Sequence, residues 1–216
     1  MKFRIKSPPN PIDVEDRTPI FIDITTEKLI IGTMISYCGR YLLEKNSFVD
    51  KTCNFFYPNE NKNHLWKFLF RIFSNTPLKT KIRHSQQEKE TLLRINHIGM
   101  ANLIKRAICK EGSSKDSDIK IIEFRKELLP KIESSKINSI FFTSKNTHDL
   151  FYSFLQKEQI SVKFKDSAQT RTSIKSIVTL FNRDFILYVL PNPTSRGRKG
   201  ETVENKYLVY KSLIQS

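Results

Sequence analysis

Side chains able to do chemistry stand in clusters along the chain, each beside a turn or at the end of an apolar run. Thr33-Met34-Ile35-Ser36 places hydroxyls after the run Lys28–Gly32, and Thr143-Ser144-Lys145-Asn146 does the same after Ile137–Phe142. Phe55-Phe56-Tyr57 offers ring faces, Asn63-His64 an amide and an imidazole, and Asn102 a second amide. Pro191-Asn192-Pro193-Thr194-Ser195-Arg196-Gly197-Arg198-Lys199-Gly200 combines pre-set backbone, hydroxyls and cations. Its hydroxyls, its backbone amides and a helix N-terminus near Thr202 suit phosphate oxygens, and its cations would release counterions on neutralising them. The alternative for this stretch is a charged surface loop, since loops collect charge. The histidines at 64, 84, 97 and 148 show no ligand spacing, and Cys38, Cys53 and Cys109 form no Cys-x-x-Cys pair. No metal site and no disulfide framework is expected, and three dispersed cysteines cannot supply the usual ligands of an iron–sulfur cluster.

The elements that must hold these groups can be read from periodicity. Lys28–Ile35, Ile137–Thr143 and Phe185–Leu190 are short, apolar and β-branched or aromatic, as strands buried on both faces are; a segment near 98–104 is expected as a fourth strand, although periodicity alone also allows a helix start there. Leu65, Phe68, Leu69, Ile72 and Phe73 recur at helical spacing, with Asn63 or His64 at the start. A second helix is expected over 147–157, and a third, capped by Thr202, carries Val203, Tyr207, Tyr210 and Ile214. A helix is also expected over about 118–135, kinked or shortened by Pro130. Residues 1–27, with four prolines, read as an extended leader; 28–216 reads as one domain, with 157–184 as a probable insertion bearing extra strands. Strands alternating with helices predict an α/β fold: a three-layer α/β/α sandwich on a central, mainly parallel sheet. Ligands bind such sheets beyond the carboxyl ends of the strands, where the polar clusters fall, so they would share one mouth.

The chain has 216 residues, and 37 Lys plus Arg against 22 Asp plus Glu leave a net charge of +15, the footprint of a nucleic-acid binder. Aromatic residues make up 11%, which argues against disorder. No apolar run approaches the roughly 20 residues of a membrane span, and the first residues lack a secretory h-region. A reducing, intracellular compartment is expected from the cysteine usage.

Taken in order, these pieces resemble the uracil-DNA glycosylase superfamily, most closely its hypoxanthine (deoxyinosine) branch. Leu29-Ile-Ile-Gly-Thr-Met34 resembles its first active-site motif, and Tyr57 through Asn63-His-Leu-Trp66 the aromatic, Asn-containing segment that follows. Gly99-Met-Ala-Asn-Leu-Ile104 with Cys109–Ser117 resembles the next strand and loop. Ile140-Phe-Phe-Thr-Ser144 resembles the strand under the base pocket, and Leu190–Ser195 the loop that wedges into the minor groove. Three positions depart from the pattern: Ile35 replaces a proline, Thr143-Ser144 an Asn-Gly-like pair, and Arg196-Gly-Arg-Lys199 a run of small residues.

The resemblance implies a monofunctional glycosylase acting on a flipped-out base without a cofactor. Asn63 would position water, or only cap the helix; His64 would polarise the base or contact phosphate, or lie on the surface. Phe56 or Tyr57 would stack on the base, or pack in the core, where Trp66 belongs. Thr33, Met34, Ser36, Asn102 and Ser144 would line the base pocket, Asn102 alternatively serving a turn or cap. Asn146 is a candidate cap for the next helix. Lys145 and the stretch Pro191–Ser195 with Arg196, Arg198 and Lys199 would face DNA. A non-catalytic DNA-binding protein on the same fold is the competing reading. A nucleotide-handling enzyme is weakened by the lack of a Gly-x-x-x-x-Gly-Lys-Ser/Thr loop.

Overall fold

A computed structural model describes residues 11–35, 39–50, 55–56, 63–77, 84–113, 118–169, 174–194 and 201–215. It is a mixed α/β fold whose described residues form two sheets and five helices. Strands β2 (Lys28–Gly32), β5 (Ile98–Asn102), β8 (Ser139–Phe142) and β11 (Arg183–Val189) lie side by side in the order β5-β2-β8-β11, all parallel. They are the four runs expected from the sequence. All three inner pairings are in register at the carboxyl ends, with Ile31 level with both Ala101 and Phe142, and Phe142 level with Val189. Antiparallel strands β10 (Ile174–Leu180) and β9 (Lys163–Gln169) extend this sheet past β11, within the segment expected as an insertion.

Alternation of side chains sends β2 into two cores. Ile30 and Phe141 face helices α1 (Leu65–Ser74), α2 (Gln86–Ile95) and α5 (Val203–Ile214). Leu29, Ile31, Ile140 and Phe142 face α3 (Leu128–Ser134), α4 (Lys145–Lys157) and the second sheet. That sheet, in the order β4-β3-β1-β6-β7, is antiparallel throughout, and the sequence reading did not anticipate it. It comprises β1 (Pro11–Glu15), β3 (Tyr41–Leu42), β4 (Ser47–Phe48), β6 (Ile104–Lys110) and β7 (Ile119–Phe124). The stretch read as leader therefore contributes a strand at the centre of a sheet, with Pro11 at its first position, where a missing N–H is tolerated.

The single helix expected over 118–135 is replaced by β7 and α3. Ile119 and Ile121 point inward while Lys120 and Ile122 point out, a period of two. Pro130 lies in the first turn of α3, where its absent N–H would have had no intrahelical partner, so it starts the helix rather than kinking it. Helix α2 opens with a capping box in which Ser85 accepts from the Glu88 N–H and Glu88 accepts from the Ser85 N–H.

Phe21 and Met100 exchange both backbone hydrogen bonds at 2.8 Å and cover the outer side of β5. This close approach requires Gly99: a Cβ there would stand 2.8 Å from the Phe21 carbonyl oxygen and 2.9 Å from Thr26 Cγ2. Gly99→Ala is expected to destabilise the fold by about 1–3 kcal/mol, read as a lower denaturant midpoint. An unchanged midpoint would mean that the Phe21 segment yields freely.

Candidate active site at the carboxyl ends of the parallel strands

The loop after β2 is fixed by buried polar groups. Ile35 donates its N–H to Asp16 Oδ2 at 2.7 Å, and its carbonyl accepts from Arg40 Nε at 3.1 Å. Asp16 is buried and also accepts from Asn102 Nδ2 at 2.9 Å and the Thr18 N–H at 2.9 Å, and it pairs with Arg125 at 3.3 Å. Arg125 in turn donates to the carbonyls of Thr18 and Asp16. One carboxylate thus joins the ends of β2 and β5 to the segment after β7.

Between β2 and β8 runs a chain of hydroxyls. Thr33 Oγ1 lies 2.9 Å from Thr147 Oγ1, which lies 2.8 Å from Ser144 Oγ. Ser144 Oγ accepts from the Thr147 N–H and so caps α4. The cap is Ser144, not Asn146, which is exposed in the first turn beside the exposed Lys145.

On the other side of the sheet, the start of α1 meets the chain after β11. His64 donates its N–H to the Pro193 carbonyl at 2.8 Å, and Asn63 forms an antiparallel bridge with Thr194. Asn63 Oδ1 accepts from the Leu65 N–H at 3.0 Å, so the amide does bond the helix start, one residue before the cap position at His64. The half-buried His64 has no partner for Nδ1 among the described residues. Burial, helped by the charges of Lys67 and Lys206, lowers its pKa below the ordinary imidazole value, so the ring is neutral at neutral pH. The unfolded chain therefore takes up this proton first as pH falls. The stability contributed by neutral His64 is fully present above the unfolded pKa and is lost as pH falls from there through the lower folded pKa.

Helix α5 holds the segment Pro191–Thr194 from behind. Tyr210 donates its hydroxyl to the Pro191 carbonyl at 3.0 Å, and Lys206 Nζ donates to the carbonyls of Asn192 and Thr194 at 2.9 and 2.8 Å. Asn192 Oδ1 accepts from the Thr194 N–H at 3.0 Å, a local turn that leaves the Asn192 side chain exposed. Thr202 caps α5 as expected.

The structure brings Thr33, Met34, Asn63, His64, Ser144 and Pro191–Thr194 to loops and helix starts at this end of the sheet, with Lys145 in the first turn of α4. Asn102 also stands here, but its amide nitrogen faces inward to Asp16. Phe56 is only 1% exposed and packs edge-on to Phe55, while its carbonyl accepts from Trp66 Nε1 at 2.8 Å. It is a core residue, as is Trp66. Ser36, Tyr57, Ser195, Arg196, Arg198 and Lys199 lie outside the described residues. Asp16, Arg40, Thr147 and Lys206 were not anticipated. For Lys206 a signal existed: positions 203, 206, 207, 210 and 214 form one helical stripe, so the lysine falls on the buried face. Among the described residues no group of three or more His, Cys, Asp or Glu could hold a metal ion, and no helix is long and apolar enough to cross a membrane.

No family model and no curated protein matches the chain. Among solved structures, it is similar to the solution NMR structure of a "putative Uracil DNA glycosylase" from Methanosarcina acetivorans. The TM-score is 0.52 at 17% sequence identity, over 94% of this chain and 99% of that one. At this identity the likeness is one of fold.

Proposed function

We propose that the protein is a monofunctional DNA glycosylase that removes a deaminated or modified base, with hypoxanthine the first substrate to test. The observation that carries this reading is the junction of Asn63 and His64 with Pro193 and Thr194 beyond the parallel strands. Two segments far apart in sequence, each matching a motif of the family that the chain resembles, meet there. The net charge of +15 supports a polyanionic partner, and the fold likeness supports the family. DNA-associated work inside the cell, as a monomer, belongs to the same proposal.

The reaction needs no charged nucleophile. The base is flipped out of the stack, and the glycosidic C–N bond breaks with its electron pair passing to the base nitrogen. Water adds to the sugar carbon, gives up a proton and leaves a hydroxyl there, while the departing base gains a proton. Asn63 orients the water through its amide. Neutral His64, whose Nδ1 has no partner among the described residues, interacts with the departing base. Thr33, Met34, Ser36, Tyr57 and Ser144 surround the base. Lys145 and Pro191–Ser195, with Arg196, Arg198 and Lys199, take the phosphates. Fixed dipoles in a dry site act strongly on the charge that develops on the base.

The test is a panel of oligonucleotides carrying uracil, hypoxanthine, xanthine or a hydroxymethylated base, each incubated with protein and treated with alkali. Strand cleavage at the modified base is the expected result. Salt-dependent binding without cleavage of any member would favour the non-catalytic DNA-binding reading, which the inward-facing Asn102 and the buried Phe56 favour.

A further inference from the structure

We propose that Lys206 is a positioning residue of this site: its buried ammonium clamps Pro191–Thr194 against the start of α1 and so sets Asn63 and His64 in place. The proposal rests on the glycosylase reading for its consequence in catalysis, but the clamp itself stands on geometry.

Lys206 is 2% exposed. Burying an ammonium is unfavourable unless its protons find acceptors. Here Nζ donates to the Asn192 carbonyl at 2.9 Å and the Thr194 carbonyl at 2.8 Å, and lies 3.5 Å from Glu201 Oε2. Two of its donors meet backbone carbonyls and its charge faces the Glu201 carboxylate, so the ammonium is turned toward the protein and the lysine acts by holding backbone. The backbone it holds bonds α1 directly, through the His64 N–H to Pro193 and the Asn63–Thr194 bridge. Helix α1 is braced against α5 in addition, with the Phe68 ring 5.0 Å from that of Tyr210 and 6.1 Å from that of Tyr207. Lys206 also repels a proton on His64, as Lys67 does.

Lys206→Met keeps an unbranched apolar stem of nearly the same volume and removes the donors and the charge; Lys206→Gln, one atom shorter than lysine, keeps two N–H donors without charge. Three readouts apply to the folded variants: amide exchange at His64, NMR titration of the His64 ring, and single-turnover and steady-state kinetics on the oligonucleotide that the panel identifies. In Lys206→Met, exchange at the His64 amide is expected to speed up about tenfold or more while the amides of Ile31 and Phe142 stay protected. The His64 ring is expected to titrate at higher pH, and kcat to fall about 10- to 100-fold with KM nearly unchanged. Lys206→Gln is expected to restore most of the amide protection and to keep the raised ring titration.

Unchanged His64 exchange in folded Lys206→Met overturns the proposal, and so does a rise in KM at constant kcat. If Lys206→Met does not fold, Lys206→Leu takes its place in the same measurement: His64 amide exchange as slow as in the wild type overturns the clamp, and faster exchange there with Ile31 and Phe142 still protected supports it. If the wild-type protein releases no base from any oligonucleotide, the glycosylase reading fails. Exchange at the His64 amide then still decides the clamp.

Discussion

Asn63→Ala is expected to slow base release by about 10²–10³, equivalent to about 3–4 kcal/mol of transition-state stabilisation, while DNA affinity stays near that of the wild type. The side chain is uncharged and half-buried, so its removal takes little from phosphate binding. On the proposed function it also takes away a fixed dipole beside the reacting sugar. Because Asn63 Oδ1 also accepts from the Leu65 N–H, the same substitution is expected to cost about 1 kcal/mol of stability. The two effects separate on one mutant, by denaturant midpoint and by single-turnover rate. A loss of stability with an unchanged rate would leave Asn63 as a helix-start residue alone. Asn63→Asp sharpens the test: a carboxylate oxygen can still accept from Leu65, so stability should hold. A rate that also holds would assign the water contact to the oxygen rather than to the amide nitrogen.

The four parallel strands were legible because burial on both faces writes a continuous apolar run, as in Leu29-Ile-Ile-Gly32 and Ile140-Phe-Phe142. The antiparallel sheet was not. Tyr41–Leu42 and Ser47–Phe48 are two-residue strands, too short to show a period, and Pro11–Glu15 is a strand because Tyr41–Leu42 and Arg106–Lys110 pair with it on either side. Ile119–Phe124 did carry a two-residue alternation, but it was masked by the stronger helical pattern of Leu128, Leu129 and Ile132 just after it. Ser85-Gln-Gln-Glu88 was a readable helix start that the polar composition around it concealed.

For the site, the polar residues at strand ends were legible from position alone. The groups that hold them were not, because an isolated Asp, Arg or Lys in a sequence reads as solvated surface. Arg40 and Arg125 are buried here because backbone carbonyls that have no partner within their own elements accept from them. Such pairing is a tertiary property. The Asn102 amide shows the converse, since its place in a motif-like segment suggested an outward role and Asp16 turns it inward.

Asp16→Ala is expected to lower the stability of the fold by about 3–5 kcal/mol, the range for removing one partner of a buried ion pair. The carboxylate is buried and accepts from Ile35 N–H, Asn102 Nδ2 and Thr18 N–H besides pairing with Arg125, whose side chain is 6% exposed. Alanine would leave the guanidinium with only the carbonyls of Thr18 and Asp16, and three further donors without an acceptor. Each orphaned donor would cost about 1–3 kcal/mol alone, but they share one cavity and do not add. Against a typical total of about 5–15 kcal/mol, the loss is large. Asp16→Asn is not a mild replacement, because its amide nitrogen would face a donor. Asp16→Ala/Arg125→Met removes the stranded charge together with its partner and should recover part of the loss. Urea midpoints at a constant denaturant slope measure all three. A loss below about 1 kcal/mol in Asp16→Ala would mean that water replaces the carboxylate and that the pin on Ile35 is dispensable. If the pin matters, the double variant should recover stability without recovering the rate of base release. The Ile35 N–H would still lack its anchor, and the turn after β2 would keep the Thr33–Thr147 hydroxyl contact and the Arg40 bond to the Ile35 carbonyl but lose the carboxylate that helps fix Thr33, which the proposed function sets beside the base.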